Sequence, residues 1–95
     1  MVEFEWDEDK NILNQQKHKI RFEDAKFVFD DPLAISDKNC IVDGEQRWQI
    51  VGRYKPASSV LIVVIHTIRE NGTEIIRIIS ARPLEPKERR LYEHC

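Results

Sequence analysis

Apolar and acidic residues alternate through Val2-Glu3-Phe4-Glu5-Trp6, the two-residue period of a strand with one buried face. Asp7 follows as a good N-cap, and Glu8 and Asp9 suit the positive end of a helix that the pattern carries to His18. The apolar face of this helix is thin. Only Ile12 and Leu13 are aliphatic inside it, which predicts a position at the edge of the domain with Lys10, Asn14, Lys17 and His18 turned outward. Phe22, Ala25, Lys26 and Phe29 then fall at helical spacing, and Asp30-Asp31-Pro32 closes a second short helix. Leu33-Ala34-Ile35 reads as a short strand, the polar residues 36–45 as a loop, residues 47–54 as another strand and residues 55–59 as a turn.

The strongest signals come next. Residues 60–69 and 74–82 are dense in β-branched side chains and flank Asn71-Gly72, the pair preferred in a two-residue type I′ hairpin turn. That register sets Arg69 opposite Glu74 and His66 opposite Arg77. Both faces of the hairpin are otherwise apolar, so it belongs in the middle of a sheet. A last helix is expected from Pro86, with Glu85, Arg89 and Glu93 at four-residue spacing and Leu84, Leu91 and Tyr92 docking it. The order is strand, two helices, antiparallel strands and a helix, an α+β arrangement.

Length confines this to one domain over residues 1–95. The apolar run 60–65 is far short of the roughly 20 residues that span a bilayer, and no basic-then-apolar leader precedes Glu3. A cytoplasmic protein with no membrane partner is therefore expected, in which Cys40 and Cys95 stay reduced and Asn71-Gly72-Thr73 is no glycosylation site. The net charge of -2 hides an asymmetry: residues 1–50 carry seven basic and twelve acidic side chains, residues 51–95 eight basic and five acidic. With a pI near 5.9, a generic nucleic-acid coat is excluded and any anion site must be local and built from the arginine-rich second half. The three glycines form no phosphate loop, the two cysteines have no zinc spacing, and Asp30-Asp31 before a proline reads as a turn rather than a metal site. No metal and no cofactor is expected.

What remains is cationic: Lys17-His18 closing the first helix, Arg47, and His66, Arg69, Arg77 and Arg82 on the hairpin. Arginine between isoleucines in mid-strand is costly unless it is paired or faces a working surface. Each group also has a structural reading. Arg77 fits as partner to a carboxylate of the acidic first half, Lys17-His18 suit a helix C-terminus electrostatically, and His66 suits a neutral core imidazole.

Phe4-Glu5-Trp6-Asp7, Lys10, Asn14, Lys17-His18, Phe22-Glu23-Asp24-Ala25, Phe29-Asp30-Asp31-Pro32, Glu45-Gln46-Arg47, Gly52, Thr67-Ile68-Arg69, Arg77-Ile78-Ile79-Ser80-Ala81-Arg82 and Glu88-Arg89-Arg90 with Tyr92 together resemble the BrnT family of bacterial type II toxins. The resemblance runs from Phe4 to Tyr92. It implies a RelE-like fold, with a central antiparallel sheet, two N-terminal helices and one C-terminal helix. It also implies a ribonuclease toxin that halts translation and is neutralised in a hetero-oligomer by a BrnA-type antitoxin, which alone contacts operator DNA. Lys19 stands where such proteins commonly carry a Gly that ends the helix, which leaves this helix free to run on past His18.

A metal-free ribonuclease needs a base for the ribose 2′-hydroxyl, cations for the phosphorane charge and an acid for the leaving oxygen. On the resemblance, Arg77 and Arg82 hold the phosphate with Arg69 or Arg47 assisting, His18 serves as acid or base beside Lys17 with His66 in reserve, and Ser80, Trp6 and Tyr92 contact the RNA. Arg77 and Arg82 are five residues apart, so strict alternation puts them on opposite faces, and Pro83 is expected to let Arg82 swing back over the strand end. The competing reading is a non-catalytic module that binds the antitoxin and assists autorepression, or an inactivated copy with a sound fold.

Overall fold

The computed structural model describes residues 2–55 and 60–85. Its strands β1 (Val2–Trp6), β2 (Ile35–Val42), β3 (Glu45–Arg53), β4 (Leu61–Glu70) and β5 (Glu74–Pro83) form one sheet in the order β1-β5-β4-β3-β2. Between β1 and β2 come α1 (Glu8–His18) and α2 (Phe22–Ala25), the latter tightened into a 3-10 turn over Lys26–Asp30. The α+β expectation holds, but the sheet is mixed rather than antiparallel. β2 to β5 form an antiparallel meander, whereas β1 lies parallel to β5, with Phe4 opposite Ile76 and Trp6 opposite Ile78. A parallel pair needs a long crossover, and no local turn signal announces it. The helix expected from Pro86 lies outside the described residues.

Three features of the strands differ from the pattern reading. First, residues 36–45 are not a loop. β2 and β3 form a hairpin about Asp43-Gly44, whose φ angles of 51° and 80° are the positive pair of a type I′ turn. β2 is an edge strand exposed along nearly its whole length, so it shows no buried face for alternation to reveal. Second, the β4–β5 turn holds three residues: Glu70 pairs with Glu74 and Arg69 with Ile75, while the Asn71 amide donates to the Thr73 carbonyl at 3.1 Å. Arg77 consequently stands opposite Thr67, not His66. Third, β5 bulges. Ile78 pairs with His66 but Ser80 pairs with Ile65, leaving Ile79 as an extra residue.

Helix α1 begins and ends where the sequence puts it. The Asp7 carboxylate accepts from the amides of Asp9 and Lys10 at 2.9 and 3.3 Å. At the other end Lys19 adopts the left-handed conformation itself (φ 62°, ψ 26°), its amide donating to the Gln15 carbonyl, so the helix stops at His18 instead of running on. Its docked face is polar. Asn11 and Asn14 are buried while Ile12 and Leu13 are exposed, so Asn14 and the aliphatic pair exchange their expected places, whereas Lys10 and Lys17 face outward as expected. The Asn14 amide group donates to the Ile20 carbonyl at 2.9 Å and its oxygen accepts from the Ala81 amide at 3.1 Å. The Asn11 oxygen accepts from the Phe22 amide at 2.8 Å, and its nitrogen donates to Glu8 and Glu23. Two asparagines thus satisfy buried backbone groups that an aliphatic stripe would leave orphaned.

The core lies on one face of the sheet, where Ile20, Phe22, Ala25 and Val28 pack on Ile50, Ile62, Val64, Ile78 and Ala81. Gly52 belongs to this layer for steric reasons. A Cβ there would stand 2.8 Å from Oδ2 of Asp31 and 3.2 Å from Cγ1 of Val28.

Candidate active site

Register assigns every strand residue to a face, since directly paired residues share one. On the face away from the core cluster, Glu5 of β1 pairs with Arg77 of β5, and Arg77 with Thr67 of β4. Arg47 precedes Trp48, which pairs with His66, so it extends this row onto β3. One step along, Ser80 pairs with Ile65 and Ile65 with Gln49. Beyond that, Arg82 pairs with Val63 and Val63 with Val51. The extra residue at Ile79 resets the alternation of β5, so Arg77, Ser80 and Arg82 all share this face. The strand-end swing at Pro83 is not what brings the arginines together.

The row is electrostatically occupied at one end. Oε1 of Glu5 accepts from Nη2 of Arg69 and lies 3.6 Å from Nη1 of Arg77. The carboxylate partner that Arg77 was expected to find in the acidic first half is therefore Glu5, a residue whose place in an alternating strand marked it only as solvated. At the other end, Nε of Arg47 and Oγ1 of Thr67 are buried without a hydrogen-bond partner among the described residues, a condition that costs about 1–3 kcal/mol per group. Arg82 is half-buried, and its Nη1 lies 3.4 Å from the Pro83 carbonyl.

His18 and Lys17 are not on the sheet. His18 lies one helical turn beyond Asn14, on the same side of α1, and Asn14 bonds the amide of Ala81, the neighbour of Arg82. The helix end is thereby tethered to the stretch of β5 that carries Arg82. Lys17 is exposed.

Two other candidates sit in the opposite layer. His66 is only 2% exposed, edge-on to Phe29 at 4.9 Å between ring centroids, with Nδ1 3.4 Å from the Val64 carbonyl. Burial pushes its imidazole below the ordinary value, against a smaller upward pull from that carbonyl. It is the neutral core imidazole of the structural reading, turned away from the arginine face. Trp6 packs edge-on to Phe22 at 6.2 Å, and its indole donates to Glu8 at 3.2 Å. Tyr92 lies outside the described residues.

Among the described residues, no three His, Cys, Asp or Glu side chains converge as metal ligands. Asp31 is a turn residue, as its position before Pro32 suggests. Its carboxylate accepts from the amides of Arg53 and Leu33 at 2.9 and 3.0 Å, contacts that hold it below the usual carboxylate value. A groove of about 680 Å³ lined by Phe27, Asp30, Leu33, Tyr54 and Lys55 includes none of the expected site residues. No described helix is long and apolar enough to cross a membrane.

Comparison with known proteins decides the family. The family model described as "Ribonuclease toxin, BrnT, of type II toxin-antitoxin system" matches residues 6–88. The chain belongs to the BrnT family. Among solved structures, the 1.1 Å crystal structure of the Brucella abortus ribonuclease toxin BrnT is similar to it, with a TM-score of 0.61 and 23% identity over 90% of this chain and 99% of that one. At that identity the likeness shows a shared fold. No curated protein matches the chain significantly. A BrnT chain is a ribonuclease toxin by family, and as the toxin of a type II system it has an antitoxin for a partner.

Proposed function

We propose that this BrnT chain is a RelE-like, metal-independent endoribonuclease that acts in the cytoplasm to halt translation, using the arginine face of its single domain. A BrnA-type antitoxin neutralises it in a hetero-oligomer and makes the contacts to operator DNA. The observation that carries this reading is the bulge at Ile79, because it gathers Arg77, Ser80 and Arg82 on one face of β5. Arg77 and Arg82 hold the scissile phosphate through bidentate guanidinium contacts, with Arg69 and Arg47 at either side. Ser80, between them, donates to the RNA. His18 supplies acid–base chemistry from the helix end that Asn14 fixes beside Arg82, with Lys17 next to it. His66 and Trp6 take no part in the chemistry, because both pack in the core layer.

Inducible expression without any antitoxin tests the reading. Growth arrest with RNA cleavage is expected, and cleavage by purified protein should survive excess EDTA. Arg77→Ala or Arg82→Ala should each cost on the order of 3 kcal/mol of transition-state stabilisation, about a hundredfold in rate, with the fold retained. Lysine at either position should restore little, since a point charge cannot replace the fork. Growth and intact RNA with wild-type protein would instead favour the non-catalytic module, and restoration by magnesium of an EDTA-sensitive activity would overturn metal independence.

A further inference from the structure

We infer that Glu5 is the general base of this site, with Arg69 and Arg77 as the groups that position it. The inference rests on the ribonuclease reading above and divides its acid–base work, giving the base to Glu5 and leaving the acid to His18. Deprotonation of a ribose 2′-hydroxyl requires a proton acceptor beside the phosphate that the cations hold, because the attacking oxygen and the phosphorus belong to one nucleotide and come within about 3–3.5 Å of each other at attack. A carboxylate sharing a guanidinium with that phosphate meets the requirement, and Glu5 shares two. Both contacts fall on Oε1, and among the described residues Oε2 accepts no hydrogen bond. One oxygen is anchored while the other is free to take a proton. The side chain is 36% exposed and that of Arg77 39%, so an RNA strand can reach both. Arg77 has five N–H donors to distribute, and its contact with Glu5 engages Nη1 alone.

The same row explains why the base belongs at this end. Thr67, directly opposite Arg77, and Arg47 beyond it bury a hydroxyl and a guanidinium nitrogen that have no hydrogen-bond partner among the described residues, so the end of the row open to RNA is the one that Glu5 and Arg77 occupy. Across the sheet the row runs from acceptor to donors: a carboxylate, then Arg77, then groups able to donate. A nucleotide laid against the half-exposed end of the row would meet Glu5 with its ribose and Arg77 with its phosphate. In the step itself, Oε2 of Glu5 takes the 2′-hydroxyl proton and the 2′-oxygen forms a bond to phosphorus. The bond from phosphorus to the 5′-oxygen breaks, and that oxygen leaves with a proton supplied by His18. The products are a 2′,3′-cyclic phosphate and a free 5′-hydroxyl. Transfer of the Glu5 proton to His18 through water restores both groups.

The test uses the full-length protein on a short synthetic RNA that the wild type cleaves. Glu5→Gln keeps an acceptor for Arg69 but cannot take the proton. It should lower kcat by about 10²–10⁴-fold with little change in KM. Glu5→Asp keeps the charge but withdraws it by one methylene, and should also lower kcat; full activity there would overturn the proposal even if the Gln variant failed to fold. Mass spectrometry of the wild-type products should show the cyclic phosphate, and a 2′-deoxy nucleotide at the cut position should block cleavage. An active Glu5→Gln alongside an inactive Arg77→Ala would make Glu5 a mere counter-ion, leaving the ribonuclease standing and this proposal fallen. An inactive wild type would remove both.

Discussion

His66 illustrates how much a single residue's meaning depends on the face it occupies. In sequence it joins three arginines on one hairpin, and a two-residue turn would pair it with Arg77. One more residue in the turn moves it opposite Ile78, into the core layer against Phe29. Its burial has a pH consequence whose sign follows from linkage. The folded imidazole sits below its ordinary value, so as pH falls through about 6.5 the unfolded chain takes up a proton that the folded protein refuses. Stability is therefore flat above neutrality and declines below it, by up to about 1 kcal/mol at pH 5.5. Urea unfolding at pH 7.5 and 5.5 should show this decline in the wild type and a smaller one in His66→Gln. Thr67, its neighbour on the other face, supplies the complementary case. Thr67→Val removes a buried hydroxyl that has no partner among the described residues, so melting should show unchanged or higher stability, in contrast to the usual cost of cutting a buried hydrogen bond.

Among the elements, legibility in the sequence tracks locality. The N-cap at Asp7 and the β4 and β5 strands are written in neighbouring residues, and they form within a residue or two of where the pattern puts them. The β2–β3 hairpin was equally local in its Asp43-Gly44 turn. It went unread because an edge strand exposed on both faces has no hydrophobic period. The docked face of α1 was hidden differently. Asn11 and Asn14 stand at helical spacing, yet polar residues there read as solvated, and only the buried carbonyl of Ile20 and the freed amide of Ala81 reveal their role. Asn14→Ala would orphan both backbone groups, so chemical denaturation should report a loss of about 2–4 kcal/mol. The end of α1 offers the opposite change. Lys19 holds a left-handed conformation that glycine adopts without penalty, and Lys19→Gly should raise stability by about 0.5–1 kcal/mol, with the helix boundary unmoved in NMR chemical shifts.

For the whole molecule, the sheet separates two tasks: one face buries the core under α2 and the 3-10 turn, while the other gathers the arginines, Glu5, Thr67 and Ser80. Most of the candidate cations were legible as residue types, but their grouping was not, since it depends on β1 docking beside β5 across nearly seventy intervening residues. Ile12 and Leu13 on α1 and Phe27 and Leu33 near the second helical turn remain exposed, apolar surface that an antitoxin would cover. Co-expression with the antitoxin should thus yield a hetero-oligomer in which these positions are protected from hydrogen exchange or labelling; a toxin monomer under those conditions would contradict the pairing. The bulge at Ile79 also makes the spacing of this chain as consequential as its composition. Were β5 to run straight with Ile79 retained, strict alternation would turn the Arg82 guanidinium into the layer where Ala81 now packs with no exposed surface, whereas deleting Ile79 would remove the bulge and leave Arg82 on its present face. A single-codon deletion of Ile79 should therefore spare the fold, whereas a one-residue insertion between Ser80 and Arg82 would put Arg82 out of phase with Arg77 unless a second bulge absorbed it. Across relatives, an interval of five residues between these two arginines should therefore go with a bulge and an interval of four with a regular strand, even where the residues between them drift.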